Sequence, residues 1–381
     1  MKSVVTIKLK IPCNNLLLDT MKQYSKAIQY ISDTGYKNNI HNRYKLHHLC
    51  YHKARKKFDL PSQFIINANR IASQSLKSIK TNRGSKPIFK EIMPLDFDRR
   101  TFTFSFNKVR LATITGRVDI PIEIPTYYWK YLDWHYQTMI VKIDKLGRMF
   151  MHITFSSDIA IPSNSDGFHG VDVGINNIAV TSSKQFFNNK KIKFIKSRYI
   201  YLRGRLQSKG TRSSRKLLKS ISGREKRFMR QCNHEISKSI VSSCNIGDTI
   251  VMESIKGIRG RRVNKKQRYW LNNWSFYQLR QFIAYKSILI GCKTIFVNPR
   301  NTSKRCSRCS SLNTIRKSAN FHCLDCSYHL NADLNASFNL KWLGMSQAIQ
   351  ADVTQPYIPN DDSKAILSGT ADEFRDKCLA F

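Results

Sequence analysis

A chain of 381 residues with 65 Lys+Arg against 25 Asp+Glu carries a formal net charge of +40, while 41% of its residues are hydrophobic and 11% aromatic. This composition excludes wholesale disorder, and the length suffices for two or three domains. A compact body at +40 repels itself and attracts polyanions, so a small-molecule enzyme is disfavoured and nucleic acid is the expected partner.

The opening MKSVVTIKLKIP has no signal-peptide h-region, and no stretch reaches the ~18 apolar residues of a membrane span. The expectation is a soluble intracellular protein with no membrane partner. Val5, Ile7, Leu9 and Ile11 alternate with polar residues, the period of a strand with one buried face. From about 16 to 81 the period becomes helical, in Met21, Tyr24, Ile28 and Ile31 and then in Phe64, Ile65, Ala68, Ile71, Ala72, Leu76 and Ile79. Alternation resumes in Phe102, Phe104 and Phe106, in Val118, Ile120, Ile122 and Ile124, and in Met149, Met151, Ile153 and Phe155 beyond a turn at Leu146-Gly147. The first 160 residues therefore read as an antiparallel β unit carrying a helical insert at 13–84, with strand segments at 1–12 and 85–160.

The turn-rich IPSNSDG at 161–167 marks the main boundary. Beyond it, 170–182 reads as one apolar strand, 196–243 as long basic helices, 248–254 as a strand, 274–290 as a helix, 293–299 as a strand and 332–343 as a closing helix. Strands alternating with helices predict an α/β domain over 161–305 and 327–344, interrupted by 306–326. Residues 345–381 hold six acidic and three basic side chains, a net of −3, so the other 344 residues carry +43. Such an acidic tail is expected to be disordered or loosely docked.

The strongest local motif is C-x2-C-x13-C-x2-C at Cys306, Cys309, Cys323 and Cys326. Four thiolates in two such pairs suit one tetrahedral Zn2+ that contributes folding energy rather than catalysis. The other six cysteines are scattered singly. Three carboxylates also stand out. Asp172 lies inside an apolar strand, where a carboxylate is costly to bury unless a cation compensates it. Glu253 ends the apolar run TIVM, at the sheet edge where α/β folds place functional groups. Asp333 heads the last helix. Singly, these are also a satisfied buried acid, a strand-end residue and a helix N-cap. Together they could hold two Mg2+ or Mn2+ ions that neutralise the attacking and leaving oxygens of a phosphodiester.

Between Lys196 and Arg230 there are thirteen Lys/Arg and one acid, Glu225. A solvated helical surface mixes signs, so this run, with Arg203, Arg205, Arg212, Arg215 and Lys216, reads as a phosphate track. A second run, KGIRGRRVNKKQR at 256–268, supplies Arg259, Arg261, Arg262, Lys265, Lys266 and Arg268, with Trp270 beyond it as a base-stacking candidate. His41, His47, His48 and His52 cluster in another basic stretch and fit a nucleic-acid-facing helix better than a metal site. No G-x-S-x-G, H-E-x-x-H or Walker motif supports other chemistry.

GVDVGINNIAV, NHEISKSIV (233–241), IVMESIKGI (250–258), VNPRNTSKRCSRC (297–309) and FHCLDCSYHLNADLNASFNL (321–340), in that order, resemble the transposon-encoded TnpB (OrfB) family, related to type V CRISPR effectors and Fanzor proteins. The resemblance covers about 170–343. It implies a RuvC-like, RNase H-type nuclease domain with an inserted zinc ribbon, in which Asp172, Glu253 and Asp333 are the catalytic metal ligands. It also implies that the N-terminal part is a barrel-like wedge domain with a small recognition insert. The implied activity is RNA-guided DNA cleavage beside a short target-adjacent motif, by a monomer bound to guide RNA and target DNA. A miniature type V CRISPR effector is the alternative; a non-cleaving repressor is disfavoured because all three acids are present. One departure from the family pattern is visible. Ser310 and Ser327 stand where relatives usually have Gly, and a tight turn there would prefer glycine.

Overall fold

The computed structural model describes residues 1–82, 84–162, 167–254 and 275–353. It divides into two compact units, Lys2–Asp158 and Ile159–Phe381 with Met1.

In the first unit, strand β1 (Lys2–Ile11) is followed by helices α1 (Asn15–Lys37), α2 (Arg43–Lys57) and α3 (Ser62–Asn82). Six strands complete it: β2 (Leu95–Asp98), β3 (Phe102–Phe104), β4 (Lys108–Thr113), β5 (Gly116–Pro121), β6 (His135–Ile143) and β7 (Met149–Asp158). These hydrogen-bond as two sheets, ordered β1-β7-β6-β2 and β3-β4-β5. Every pairing is antiparallel, and Ile7 lies opposite Ile153, Leu9 opposite Met151 and Ile11 opposite Met149. The alternation read along the chain thus becomes one buried face, each large side chain on it contributing about 1.5–3 kcal/mol. The helical period is buried in the same core through Met21, Tyr24, Ile28, Phe64, Ala68 and Leu76. Phe106 departs from the expected alternation: the Ser105 N–H bonds to the Lys108 carbonyl in a tight turn, and the ring is exposed. The α2 histidines make ring contacts, His47 stacking on Tyr51 at 4.6 Å, and among the described residues they form no metal-ligand group.

The second unit is built on a five-stranded sheet ordered β10-β9-β8-β11-β12. Its strands are β8 (Phe168–Asp172), β9 (Asn177–Thr181), β10 (Phe186–Asn188), β11 (Thr249–Glu253) and β12 (Lys293–Val297). The pairings β8–β9 and β9–β10 are antiparallel, whereas β8–β11 and β11–β12 are parallel. The segment read as one strand over 170–182 is in fact a hairpin, closed by a Gly174 N–H to Ile178 carbonyl bond of 3.3 Å. Val171, Val173 and Ile175 keep the two-residue period of a strand up to the turn, which hides it although Gly174, Asn176 and Asn177 are turn residues. Helices α4 (Lys190–Lys209), α5 (Arg212–Ser242) and α6 (Phe276–Leu289) link the strands, and α7 (Ala332–Val353) closes the unit. Residues 345–353, assigned to the acidic tail by composition, are the last turns of α7. Between β12 and α7 lies a small antiparallel sheet of β13 (Thr314–Lys317), β14 (Asn320–Cys323) and β15 (His329–Asn331).

The five-stranded sheet is covered on both faces. Val171, Ile250 and Met252 join Ile240, Leu279 and Ile283, which come from α5 and α6. Val251 and Val297 on the other face pack against Leu340 of α7. Gly170 permits that second contact: a Cβ there would stand 1.9 Å from the Ser337 carbonyl oxygen and 2.6 Å from the Lys341 nitrogen. The helix backbone therefore rests directly on the strand.

No helix among the described residues is long and apolar enough to cross a membrane. The boundary residues 163–166, the cations Arg259, Arg261, Arg262, Lys265, Lys266 and Arg268, the aromatics Trp270 and Trp274, and the tail from 354 onward lie outside the described residues.

Candidate active site

The site follows from strand register. Val251 pairs with Gly170 and Met252 with Val171, so the next step along parallel β8 and β11 sets Glu253 beside Asp172. Alternation places both on the face where Gly170 and Val251 meet α7, because Val171 and Met252 point to the opposite core. Asp333, the second residue of α7, descends on the same strand ends. It is not the helix cap. That role belongs to Asn331, whose Oδ1 accepts the N–H groups of Asp333 at 3.0 Å and Leu334 at 3.2 Å. Capping by Asn331 leaves the Asp333 carboxylate available to the site, in the positive field of the helix N-terminus.

Electrostatics show Glu253 and Asp333 acting on Asp172. Burial, and then the negative charges of Glu253 and Asp333, push the Asp172 carboxyl up to about 8, while Arg316 and the Val173 N–H oppose the rise. Three clustered carboxylates form an all-oxygen donor set suited to hard divalent cations such as Mg2+ or Mn2+. Their oxygens are not drawn within 4.8 Å of one another as a single-ion group.

Four neighbours of the acids were not identified from sequence. Thr302 Oγ1 donates to Glu253 Oε1. Asn177 Nδ2 donates to Asp333 Oδ2 at 2.8 Å, and Arg316 Nη2 pairs with Asp333 Oδ1 at 2.9 Å. Arg280 lies 4.2 Å over the Phe296 ring, and burial lowers its pKa to about 10 against the opposing pull of Glu253. Asn177 and Thr302 lie within the segments that carry the family resemblance, but residue type alone gave them no role. Arg316 arrives on β13, whose approach to Asp333 has no local sequence signal.

The four cysteines of the motif converge. Their sulfurs all lie within 4.8 Å of one another, with Cys306–Cys326 at 3.7 Å and Cys309–Cys323 at 3.5 Å. Tetrahedral Zn–S bonds of about 2.3 Å require sulfur edges of about 3.8 Å, so the four donors fit such an ion. Among themselves the thiols titrate apart: backbone N–H groups of Cys326 and Asp325 hold Cys323 down to about 7, while neighbouring thiols push Cys326 up to about 12. Ser310 and Ser327 have φ of 64° and 54°, so each turn adopts the left-handed conformation that favours glycine.

The basic track lies on α4 and α5. Arg205, Arg212, Arg215 and Lys216 are exposed, with Arg205 over the Tyr201 ring at 5.8 Å. Arg203 turns inward to pair with Glu225, the single acid of the run, and Lys196 is buried near the same acid. These two cations serve helix packing at least in part.

Comparison with known proteins agrees with this geometry. Residues 276–340 match the family model described as Cas12f1-like, TNB domain. The chain is 30% identical over 234 residues to the CRISPR-associated endodeoxyribonuclease Cas12f2 of a Micrarchaeota archaeon, covering 54% of this chain and 42% of that relative. It is 27% identical to the TnpB-like protein MJ0751 of Methanocaldococcus jannaschii, over 63% of this chain and 91% of the relative. A solved Cas12f1–sgRNA–target DNA complex contains a chain that superposes with a TM-score of 0.63 at 14% identity, covering 89% of this chain and 99% of that one. The fold is thus the mixed α/β architecture of that Cas12f1 chain. The chain is therefore similar to both TnpB-like and Cas12f proteins, and it spans less than half the length of the Cas12f2 relative.

Proposed function

We propose that the protein is an RNA-guided DNA endonuclease that cleaves target DNA beside a short target-adjacent motif. The observation that carries this reading is the convergence of Asp172, Glu253 and Asp333, imposed by strand register and by the seating of α7. Asp172, Glu253 and Asp333 would hold two Mg2+ or Mn2+ ions, which when bound polarise the scissile phosphate and activate water for attack. Thr302 fixes the Glu253 carboxylate, while Asn177 and Arg316 fix both oxygens of Asp333. No side chain here is placed as a covalent nucleophile; the acids act by position and charge.

Cys306, Cys309, Cys323 and Cys326 would hold a structural Zn2+, making 306–326 a zinc ribbon inserted in a nuclease domain at 161–305 and 327–344. Segments 1–12 and 85–160 form the wedge-like β domain, and 13–84 its recognition-like insert. Guide RNA and target DNA would lie along cations including Arg205, Arg212, Arg215 and Lys216. A guided duplex of about 20 bp carries about 40 phosphates, of the order of the +43 outside the tail. The curated relatives include both Cas12f and TnpB-like proteins, so the guide comes from a CRISPR array or a transposon end, and its sequence identifies which.

Sequencing the RNA that copurifies with the protein, followed by plasmid cleavage in Mg2+ with wild type and Asp172→Ala, tests the proposal. A discrete bound RNA and guide-matched cleavage abolished by the substitution are expected. Absence of bound RNA would refute guidance, and undiminished cleavage by the variant would refute the assignment of the acids.

A further inference from the structure

The cysteines outside the ribbon are not all isolated. His169 on β8, Cys244 in the turn after α5 and Asp248 at the start of β11 bring one nitrogen, one sulfur and one carboxylate oxygen within 4.8 Å of one another. These residues come from three elements separated by up to 79 positions, so only the fold assembles them. We propose that His169, Cys244 and Asp248 form a third metal site, for a zinc-like divalent cation, separate from both the four-cysteine ribbon and the catalytic carboxylates.

The donor set is that of Zn2+, which accepts imidazole nitrogen, thiolate sulfur and carboxylate oxygen, whereas Mg2+ would not choose a thiolate. His169 Nε2 lies 2.8 Å from Asp248 Oδ2. A tetrahedral ion with bonds of about 2.0–2.1 Å needs its donors about 3.3 Å apart, so a small opening of that contact admits it. Cys292 supplies an adjoining thiol: its Sγ donates to the Asn245 carbonyl at 2.8 Å, inside the turn that carries Cys244. It or a water completes four-coordination. The surroundings favour a cation. Cys244 follows the C-terminus of the long helix α5, the negative end of its dipole. Asp248 is buried, and Gly167 leaves room for its carboxylate, since a Cβ there would stand 1.9 Å from Oδ1. The ion pair between His169 and Asp248 accounts for two of the three groups, and the Cys244 thiol, which donates to the Ile240 carbonyl at 3.5 Å, lies within reach of the same space.

The position sets the role. His169 precedes Asp172 by three residues on β8, and Asp248 precedes Glu253 by five, which at about 3.3 Å per residue is roughly 10–17 Å from the catalytic acids. An ion here cannot share their substrate. It would tie the start of β8, the start of β11 and the end of α5 together at the edge of the sheet opposite the reaction.

Metal content of the full-length protein tests this, measured in excess Mg2+ and in an Asp172→Ala background so that the carboxylates do not take zinc. Two zinc ions per chain are expected, falling to one in Cys244→Ser, to one in Cys306→Ser and to none in the double variant. His169→Gln, checked for folding by thermal melting, is expected to match Cys244→Ser. Titration of the apoprotein with Co2+ needs no substitution at the site. The ribbon ion is expected to give the stronger thiolate charge-transfer absorption, and a second equivalent about half of it or less. A single zinc lost entirely in Cys306→Ser, a second zinc indifferent to both Cys244→Ser and His169→Gln, or cobalt absorption that saturates at one equivalent would each overturn the proposal.

Discussion

Gly170→Ala is the sharpest test of how the active site is built. The added methyl would meet two backbone atoms of α7, the Ser337 carbonyl oxygen at 1.9 Å and the Lys341 nitrogen at 2.6 Å. Neither can rotate aside, so helix and strand must part by roughly 1 Å, at the upper end of the about 1–3 kcal/mol that overpacking costs. For a unit of this size, about 3 kcal/mol lowers Tm by about 6–12 °C. The displacement also acts on chemistry, because α7 carries Asp333, and a misplacement of about 1 Å costs on the order of 100-fold in rate. Thermal melting and guided plasmid cleavage measure the two effects. Gly204→Ala is the control: it lies within α4 with nothing inside 4 Å of the added carbon, and is expected to stabilise by up to about 1 kcal/mol. If Gly170→Ala melts within about 2 °C of wild type, on the order of 1 kcal/mol or less for this unit, the direct seating of α7 on β8 is wrong.

Other outcomes follow from the same geometry. In Mg2+-free buffer, the Asp172 carboxyl held at about 8 takes up a proton on folding that an ordinary carboxylate would not bind above pH 4. Its penalty therefore grows as pH rises from about 4 to about 8. Asp172→Asn is expected to melt above wild type at pH 8, by about 3–5 kcal/mol, with the gap closing near pH 4; a gap independent of pH would contradict the clustering. Ser310→Gly and Ser327→Gly relieve left-handed backbone and are each expected to add up to about 1 kcal/mol to thermal stability. Thr302→Val removes the bond to Glu253 and a local bond to the Pro299 carbonyl, and is expected to reduce cleavage about tenfold or more without lowering RNA binding; equal loss of both would show a folding defect. RNA binding measured between 50 mM and 500 mM salt is expected to fall steeply, and indifference to salt would argue against the phosphate track.

Much of the fold was legible along the chain because burial leaves a periodic record. The two-residue alternation of Ile7, Leu9 and Ile11 and the helical spacing of Tyr24, Ile28 and Ile31 recur as core faces. The hairpin at 170–182 was not read, because Val171, Val173 and Ile175 keep a strand's period up to the turn residues Gly174, Asn176 and Asn177. The small sheet at 314–331 was hidden for a different reason: its strands are short, polar and organised around the cysteines. The four thiols and three acids stood out because their residue types are costly or unusual in those settings.

The sequence by itself determined that this chain is a cationic, folded, two-part protein with a four-cysteine motif and three conspicuous carboxylates. Those properties reside in charge, period and spacing, which any reader of the chain can count. Only the tertiary structure decided that Asn331 caps α7 and releases Asp333, that Thr302, Asn177 and Arg316 hold the acids, that Arg203 turns toward Glu225, and that Cys244 meets His169 and Asp248. Each of these beyond the local cap is a contact between distant segments, fixed by strand register and by the close approach of helix to sheet. No local propensity encodes such a meeting, because its partners become neighbours only once the core has closed.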